Sequence, residues 1–160
     1  MHNTKDPLAL MQDVIFLKNN PIFSNVRTKE LRAIAAISQD CSYPSGSKIV
    51  TEGDPGDSLF LVKTGNIKIT KLIQNNEVTL ATLPPTSCFG EMVIFEDEPR
   101  SANAYAENDC LLMVIQKEEL IDVIKQYPDI AIQLFRVLGG RLRAANEKVK
   151  ELSSKLGDKA

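Results

Sequence analysis

The chain has 160 residues, a net charge of -2, 43% hydrophobic and 25% charged residues. That is the size and composition of one globular domain with a real core, and its acidic balance argues against a module built mainly to grip nucleic acid. One histidine, His2, and three widely spaced cysteines, Cys41, Cys88 and Cys110, leave no basis for a histidine-clustered metal site, a Ser-His-Asp triad or a Cys-x-x-Cys motif. The cysteines are expected to be reduced, packed thiols. No apolar run reaches the roughly 20 residues of a membrane helix. The polar stretch 1–7 lacks a signal-peptide core, so the expected compartment is the cytoplasm.

In chain order, residues 9–19 carry Leu10, Val14, Ile15 and Leu17 at helical spacing, stopped by Asn19, Asn20 and Pro21. Thr28 is placed to cap a second helix over 29–38, with Leu31, Ile34, Ala35 and Ile37 on its apolar face. The texture then changes. Short β-branched runs at 48–51, 58–63, 66–72, 77–83 and 109–116 read as strands. The turns between them are Ser45-Gly46, Gly53-Asp54-Pro55-Gly56, Thr64-Gly65-Asn66 and Asn75-Asn76. Several of these glycines are expected at positive φ. From Lys117 the period is helical again: a short helix over 117–126, then a long one opened by Pro128 and reaching Leu156. Ala131, Phe135, Leu138, Leu142, Ala145, Val149, Leu152 and Leu156 form a heptad seam suited to a two-stranded coiled coil. Gly139-Gly140 interrupts the seam as a hinge or as a place of close packing. The fold class is α+β: an antiparallel, jelly-roll-like β-roll with N-terminal helices and a long C-terminal helix. The expected division is a roll with flanking helices over 8–137 and a dimerisation helix over 138–157.

The chemistry concentrates between Cys88 and Ala102. Pro84-Pro85 is expected to run as an extended connector. Gly90 permits a turn, and Met92–Phe95 has room for one helical turn with free N–H groups at its start. Arg100 offers a planar guanidinium suited to a phosphate. Glu91, ionised, accepts from hydroxyl donors such as those of a ribose. Ser101 and Ala102 are small enough to let a ligand approach the backbone. Together these residues suit a sugar-phosphate with one net negative charge.

This run resembles the phosphate-binding cassette of the cyclic-nucleotide-binding domain family. The family's Phe-Gly-Glu matches Phe89-Gly90-Glu91, and its Arg-Ser/Thr-Ala matches Arg100-Ser101-Ala102. An upstream pattern of Gly46, Ile49, Gly53, Asp57, Leu59, Leu61, Gly65 and Ile67 is also similar, so the likeness covers about residues 15–156. The resemblance implies that Glu91 binds the ribose 2′-hydroxyl and Arg100 the exocyclic phosphate oxygens. It further implies that backbone N–H groups near Gly90, Met92, Val93 and Ala102 add hydrogen bonds, and that Ser101 touches phosphate or base. Threonine at position 101 is associated with guanine preference in eukaryotic members; Ser101 resembles bacterial cAMP binders, so cAMP is the expected ligand, with cGMP or a cyclic dinucleotide as alternatives. Two positions depart from the family. Val93 stands where Ala or Gly is usual and is expected to crowd the phosphate or tilt the short helix. Ala145 and Asn146 stand where bacterial activators carry two hydroxyl residues against adenine, leaving Asn146 as the expected base contact.

Neither a catalytic residue nor a metal ligand is expected, and an enzyme on a similar roll, such as a cupin, is disfavoured by the missing histidines. In the bacterial activators that the chain resembles, a winged helix-turn-helix follows the last helix; none is expected within these 160 residues, so sequence-specific DNA binding by this chain alone is not expected. The rival reading is a dimerisation scaffold that keeps the fold without a ligand. Glu96-Asp97-Glu98 reads as a solvated loop and Cys88 as a packed thiol, with redox control as its alternative. The seven basic against three acidic residues from Arg136 to Ala160 read as a solvated helix face.

Overall fold

The computed structural model describes residues 4–158, so His2 lies outside the described residues. Two helices, α1 (Pro7–Lys18) and α2 (Thr28–Ile37), precede the strands β1 (Gln39–Tyr43), β2 (Lys48–Val50), β3 (Ser58–Thr64), β4 (Ile67–Ile73), β5 (Asn76–Leu83) and β6 (Cys88–Phe89). A single turn, α3 (Met92–Phe95), is followed by β7 (Asn103–Ala106), β8 (Cys110–Gln116), α4 (Lys117–Gln126) and α5 (Asp129–Gly157). The strands form two four-stranded antiparallel sheets, in the orders β1-β8-β3-β6 and β2-β7-β4-β5.

The two central strands explain why this chain needs both sheets and helices. In β3, Leu59 and Leu61 face a core shared with Leu17, Leu31, Ile34, Leu120 and Leu134 from the helices and Phe23 from the turn between α1 and α2. The alternate residues Phe60 and Val62 face the inside of the roll, against Ile67, Ala104 and Ala106 of the other sheet and Phe89 of β6 in their own. In β8, Met113 and Ile115 take the helical side while Leu112 and Val114 take the roll side. A strand buried on both faces reads as a continuous apolar run, which is the pattern of both segments. The buried carboxylate of Asp13 fastens α1 to this layer, with Lys5 Nζ donating at 2.6 Å and Lys63 Nζ at 2.7 Å.

Several details differ from the sequence reading. Three strands were not foreseen: β1, β6 and β7. Their sequences are short and polar or small, and their pairing is supplied by β8, β3 and β4. Thr28 lies inside α2; Arg27 is the N-cap residue and its side chain makes no capping bond. Pro128 is the N-cap of α5 rather than its first helical residue. The β4–β5 hairpin turns on Gln74 and Asn75, both at positive φ, one residue earlier than expected. Pro84-Pro85 opens a tight turn, not an extended connector. Thr86 adopts φ +73°, donates to Val62 O at 2.8 Å and accepts from Asn20 Nδ2 at 2.8 Å, and these partners fold the segment back.

α5 runs unbroken through Gly139-Gly140, and a Cβ at either glycine would meet nothing within 4 Å, so neither glycine serves close packing within this chain. Ile130 and Leu134 are buried, while every residue from 139 to 158 is exposed. Along that free length the seam presents Leu142, Val149, Leu152 and Leu156 to solvent, continuing the exposed Phe135. No helix among the described residues is long and apolar enough to cross a membrane.

Candidate functional site

The segment after β6 is shaped around one arginine. The Arg100 backbone is held from both sides: its N–H donates to Asp54 O at 2.8 Å, and its carbonyl accepts from Gly53 N at 2.9 Å. Its Nη2 donates to Ser58 O at 2.8 Å, and its guanidinium carbon stands 5.6 Å over the Phe60 ring. Phe60 is in turn stacked on Phe89, with ring centres 4.8 Å apart and planes 7° apart. Burial lowers the Arg100 pKa, and the nearby Asp57 opposes that shift. A guanidinium titrates so high that it stays charged at neutral pH regardless. Its Nε and Nη1 hydrogens have no hydrogen-bond acceptor among the described residues, so a half-buried cation keeps unused donors.

Gly90 makes this placement possible. It sits at φ +78°, and a Cβ there would fall 2.4 Å from Arg100 Nη1. Glu91 follows as the N-cap residue of α3, whose single turn closes with Ile94 N donating to Glu91 O at 3.1 Å. A cavity of about 380 Å³ is lined by Gly90, Glu91, Met92, Val93, Arg100 and Ser101 among others. A second of about 220 Å³ adds Ala102 and the apolar Val50 and Ile69. Seven of the eight expected ligand residues therefore converge. Asn146 does not: it is exposed on α5 and lines neither cavity. Among the expected backbone donors, the Val93 N–H is already turned to Gly90 O at 3.4 Å. Val93 itself is buried at 5% exposure, with its side chain in the space that Gly56 leaves open.

Val50, Ile69 and Arg141 stand at the site without being expected there from the sequence. Arg141, on the free part of α5, donates from Nη1 to Glu91 Oε1 at 2.8 Å, and its Nη2 lies 3.7 Å from Cys88 Sγ. Burial pulls the Arg141 pKa down, but its bonds to Cys88 and Glu91 outweigh this and leave it above the ordinary value. Burial, and then the charge of Glu91, push the Cys88 thiol up, with Arg141 pulling the other way. Within the basic excess of 136–160, Arg141 reaches a carboxylate outside α5, while Lys155 pairs with Glu151 one turn back along the helix. Arg100 and Arg141 face Glu91 at the site, and the exposed Glu96 and Glu98 also line the cavity of about 380 Å³.

The sequence model of the cyclic nucleotide-binding domain matches residues 40–127. This chain belongs to the cyclic nucleotide-binding domain family. The cyclic AMP receptor protein of Thermus thermophilus is 33% identical to it over 138 residues, which are 86% of this chain and 64% of that protein. The cAMP-dependent protein kinase regulatory subunit of Aspergillus niger is 33% identical over 94 residues, 59% of this chain and 22% of that protein. Among solved structures, the N-terminal domain of a transcriptional regulator from Streptomyces coelicolor superposes with a TM-score of 0.74 at 27% identity, covering 84% of this chain and 94% of that one. The chain spans less than two thirds of the length of the receptor-type relatives, 64% and 59% for two of them. Cyclic nucleotide-binding domains of this kind are regulatory parts, and the β-roll with its long C-terminal helix is their fold.

Proposed function

We propose that this chain is a cyclic-nucleotide sensor module whose ligand is cAMP. The observation that carries the reading is Arg100, a half-buried cation held over Phe60 with unused donors, facing Glu91 across a cavity of about 380 Å³. Arg100 takes the cyclic phosphate and Glu91 the ribose hydroxyl, while Ser101 and the backbone around Gly90, Met92 and Ala102 complete the hold. Val50 and Ile69 offer an apolar surface to the base. The names of the relatives from Thermus thermophilus and Aspergillus niger support cAMP over cGMP. The module performs no chemistry of its own and acts in the cytoplasm.

Its signal is a change in α5. A ribose hydroxyl on Glu91 replaces the bond from Arg141, which frees the helix beyond Gly139-Gly140 to reposition over the ligand. Ligand biases that equilibrium only through its differential affinity for the two helix positions. Asn146 lies five residues beyond Arg141, about 7.5 Å along the helix, and reaches the base after that movement or from a second copy. The exposed seam supports a homodimer through residues 138–157, and the output goes to a partner protein or effector domain. A dimerisation scaffold without ligand is the second reading. It is favoured by the Arg141 guanidinium already seated on Glu91.

A thermal-shift panel with cAMP, cGMP and cyclic dinucleotides, run beside Arg100→Ala, tests the reading. Ligand at 100 times its dissociation constant adds about 2.7 kcal/mol, roughly 5–10 °C for a domain of this size. A shift of that size with cAMP that Arg100→Ala abolishes supports the sensor; no shift with any nucleotide supports the scaffold.

A further inference from the structure

A separate cleft of about 360 Å³ lies where the start of α2 meets the joint between α4 and α5. It shares no lining residue with the Glu91–Arg100 site, and its argument does not depend on what that site binds. Arg27, Lys29 and Glu30 come from the α2 side, Tyr127 and Asp129 from the joint. Glu30 is 6% exposed, and its two carboxylate oxygens are treated unequally. Oε1 is 3.5 Å from Arg27 Nη2. Oε2 is buried and has no hydrogen-bond partner.

The shortfall has a visible cause. Arg27 turns its Nη2 to Asp129 Oδ2, across the cleft, so one guanidinium serves two carboxylates. The other cation, Lys29, stands 5.9 Å over the Tyr127 ring. A buried carboxylate oxygen with no donor is a costly state, and a charged donor relieves it best. A metal ion is the wrong occupant. Among the described residues no group of three acidic, cysteine or histidine side chains converges to hold one.

We propose that this cleft binds one cationic hydrogen-bond donor, a guanidinium or ammonium group of the kind that ends an arginine or lysine side chain, with the Glu30 carboxylate turning to present Oε2 as its acceptor. Because the cleft joins α2 to the first turn of α5, an occupant ties the base of the long helix to the helical layer.

The test is an NMR titration of the full chain with methylguanidinium chloride. Tetramethylammonium chloride, a cation without donors, is the control at equal ionic strength. The expected result is saturating shifts of the amides of residues 27–30 and 126–130 with methylguanidinium alone. Glu30→Gln should weaken that binding about tenfold or more, the equivalent of about 1.4 kcal/mol. Arg27→Gln, which removes the resident cation, should tighten it several-fold and keeps the test decisive should Glu30→Gln fail to fold. N-acetyl-arginine methylamide and free agmatine separate the sources: preference for the first assigns a protein side chain, for the second a small free cation, and either supports the site. Shifts that do not saturate, that tetramethylammonium reproduces, or that survive Glu30→Gln unchanged would overturn it, leaving water as the occupant of the cleft.

Discussion

Val93 Cγ2 lies 2.0 Å from the point at which a Cβ on Gly56 would stand. The same missing atom would be 3.1 Å from Arg100 Nε. The branched side chain that departs from the family pattern is therefore matched by a glycine in the facing loop, and the two keep the cassette against the roll with Arg100 between them.

Gly56→Ala should destabilise the fold by about 1–3 kcal/mol, the usual cost of overpacking, and weaken ligand binding with it. Adding Val93→Ala to the same chain should restore most of that loss. Urea unfolding of the two single variants and the double variant measures the coupling; strictly additive losses would contradict the contact.

Gly90→Ala should fail differently. Its backbone φ of +78° is strained for any L side chain, and the new Cβ meets Arg100 Nη1 at 2.4 Å. The strain costs on the order of 1–3 kcal/mol, and no change at Val93 should rescue it. Ligand titration of Gly90→Ala with and without Val93→Ala checks this; rescue by the second change would mean the two glycines act through one contact.

Cys88 reports on Arg141. Burial and the Glu91 charge hold its pKa above the ordinary thiol value, and the Arg141 guanidinium pulls it back down. Iodoacetamide should therefore alkylate Cys88 at a higher pH than a free thiol. Arg141→Met, which keeps the cover and removes the charge, should move the half-reaction pH further up. Peptide mapping across a pH series reads both shifts, and a downward movement in Arg141→Met would show that the guanidinium is elsewhere.

The seam on α5 separates assembly from folding. Leu142 is 64% and Val149 62% exposed, so Leu142→Lys with Val149→Lys should change the monomer's stability little, within about 0.5 kcal/mol per site. Sedimentation should show a dimer for the parent chain and a monomer for this variant. A parent chain that sediments as a monomer would remove the coiled-coil assembly from the account.

Much of this was readable in the residues. The segments of β3 and β8 read as strands, though not as strands buried on both faces, and the turn glycines Gly46, Gly53 and Gly65 do sit at positive φ. The cassette was legible because its residues are near neighbours in sequence. The losses have one physical cause. The strands Gln39–Tyr43 and Asn103–Ala106 carry no β-branched run, and only their neighbours' hydrogen bonds make them strands. Arg141 is fifty residues from Glu91, and nothing local distinguishes it from the other cations of α5. The match of Val93 to Gly56 is not visible in the sequence because the glycine lies in a distant loop.

The most direct test of the central claim is an NMR titration of the chain with cAMP that follows the Arg100 Nε–H and the amides of Gly90, Glu91, Ser101 and Ala102. The account predicts that these signals move together and saturate at one nucleotide per chain, with a separate shift at Arg141 as its bond to Glu91 is replaced. Signals that stay still at millimolar cAMP, or shifts that appear elsewhere while Arg100 is unmoved, would contradict it.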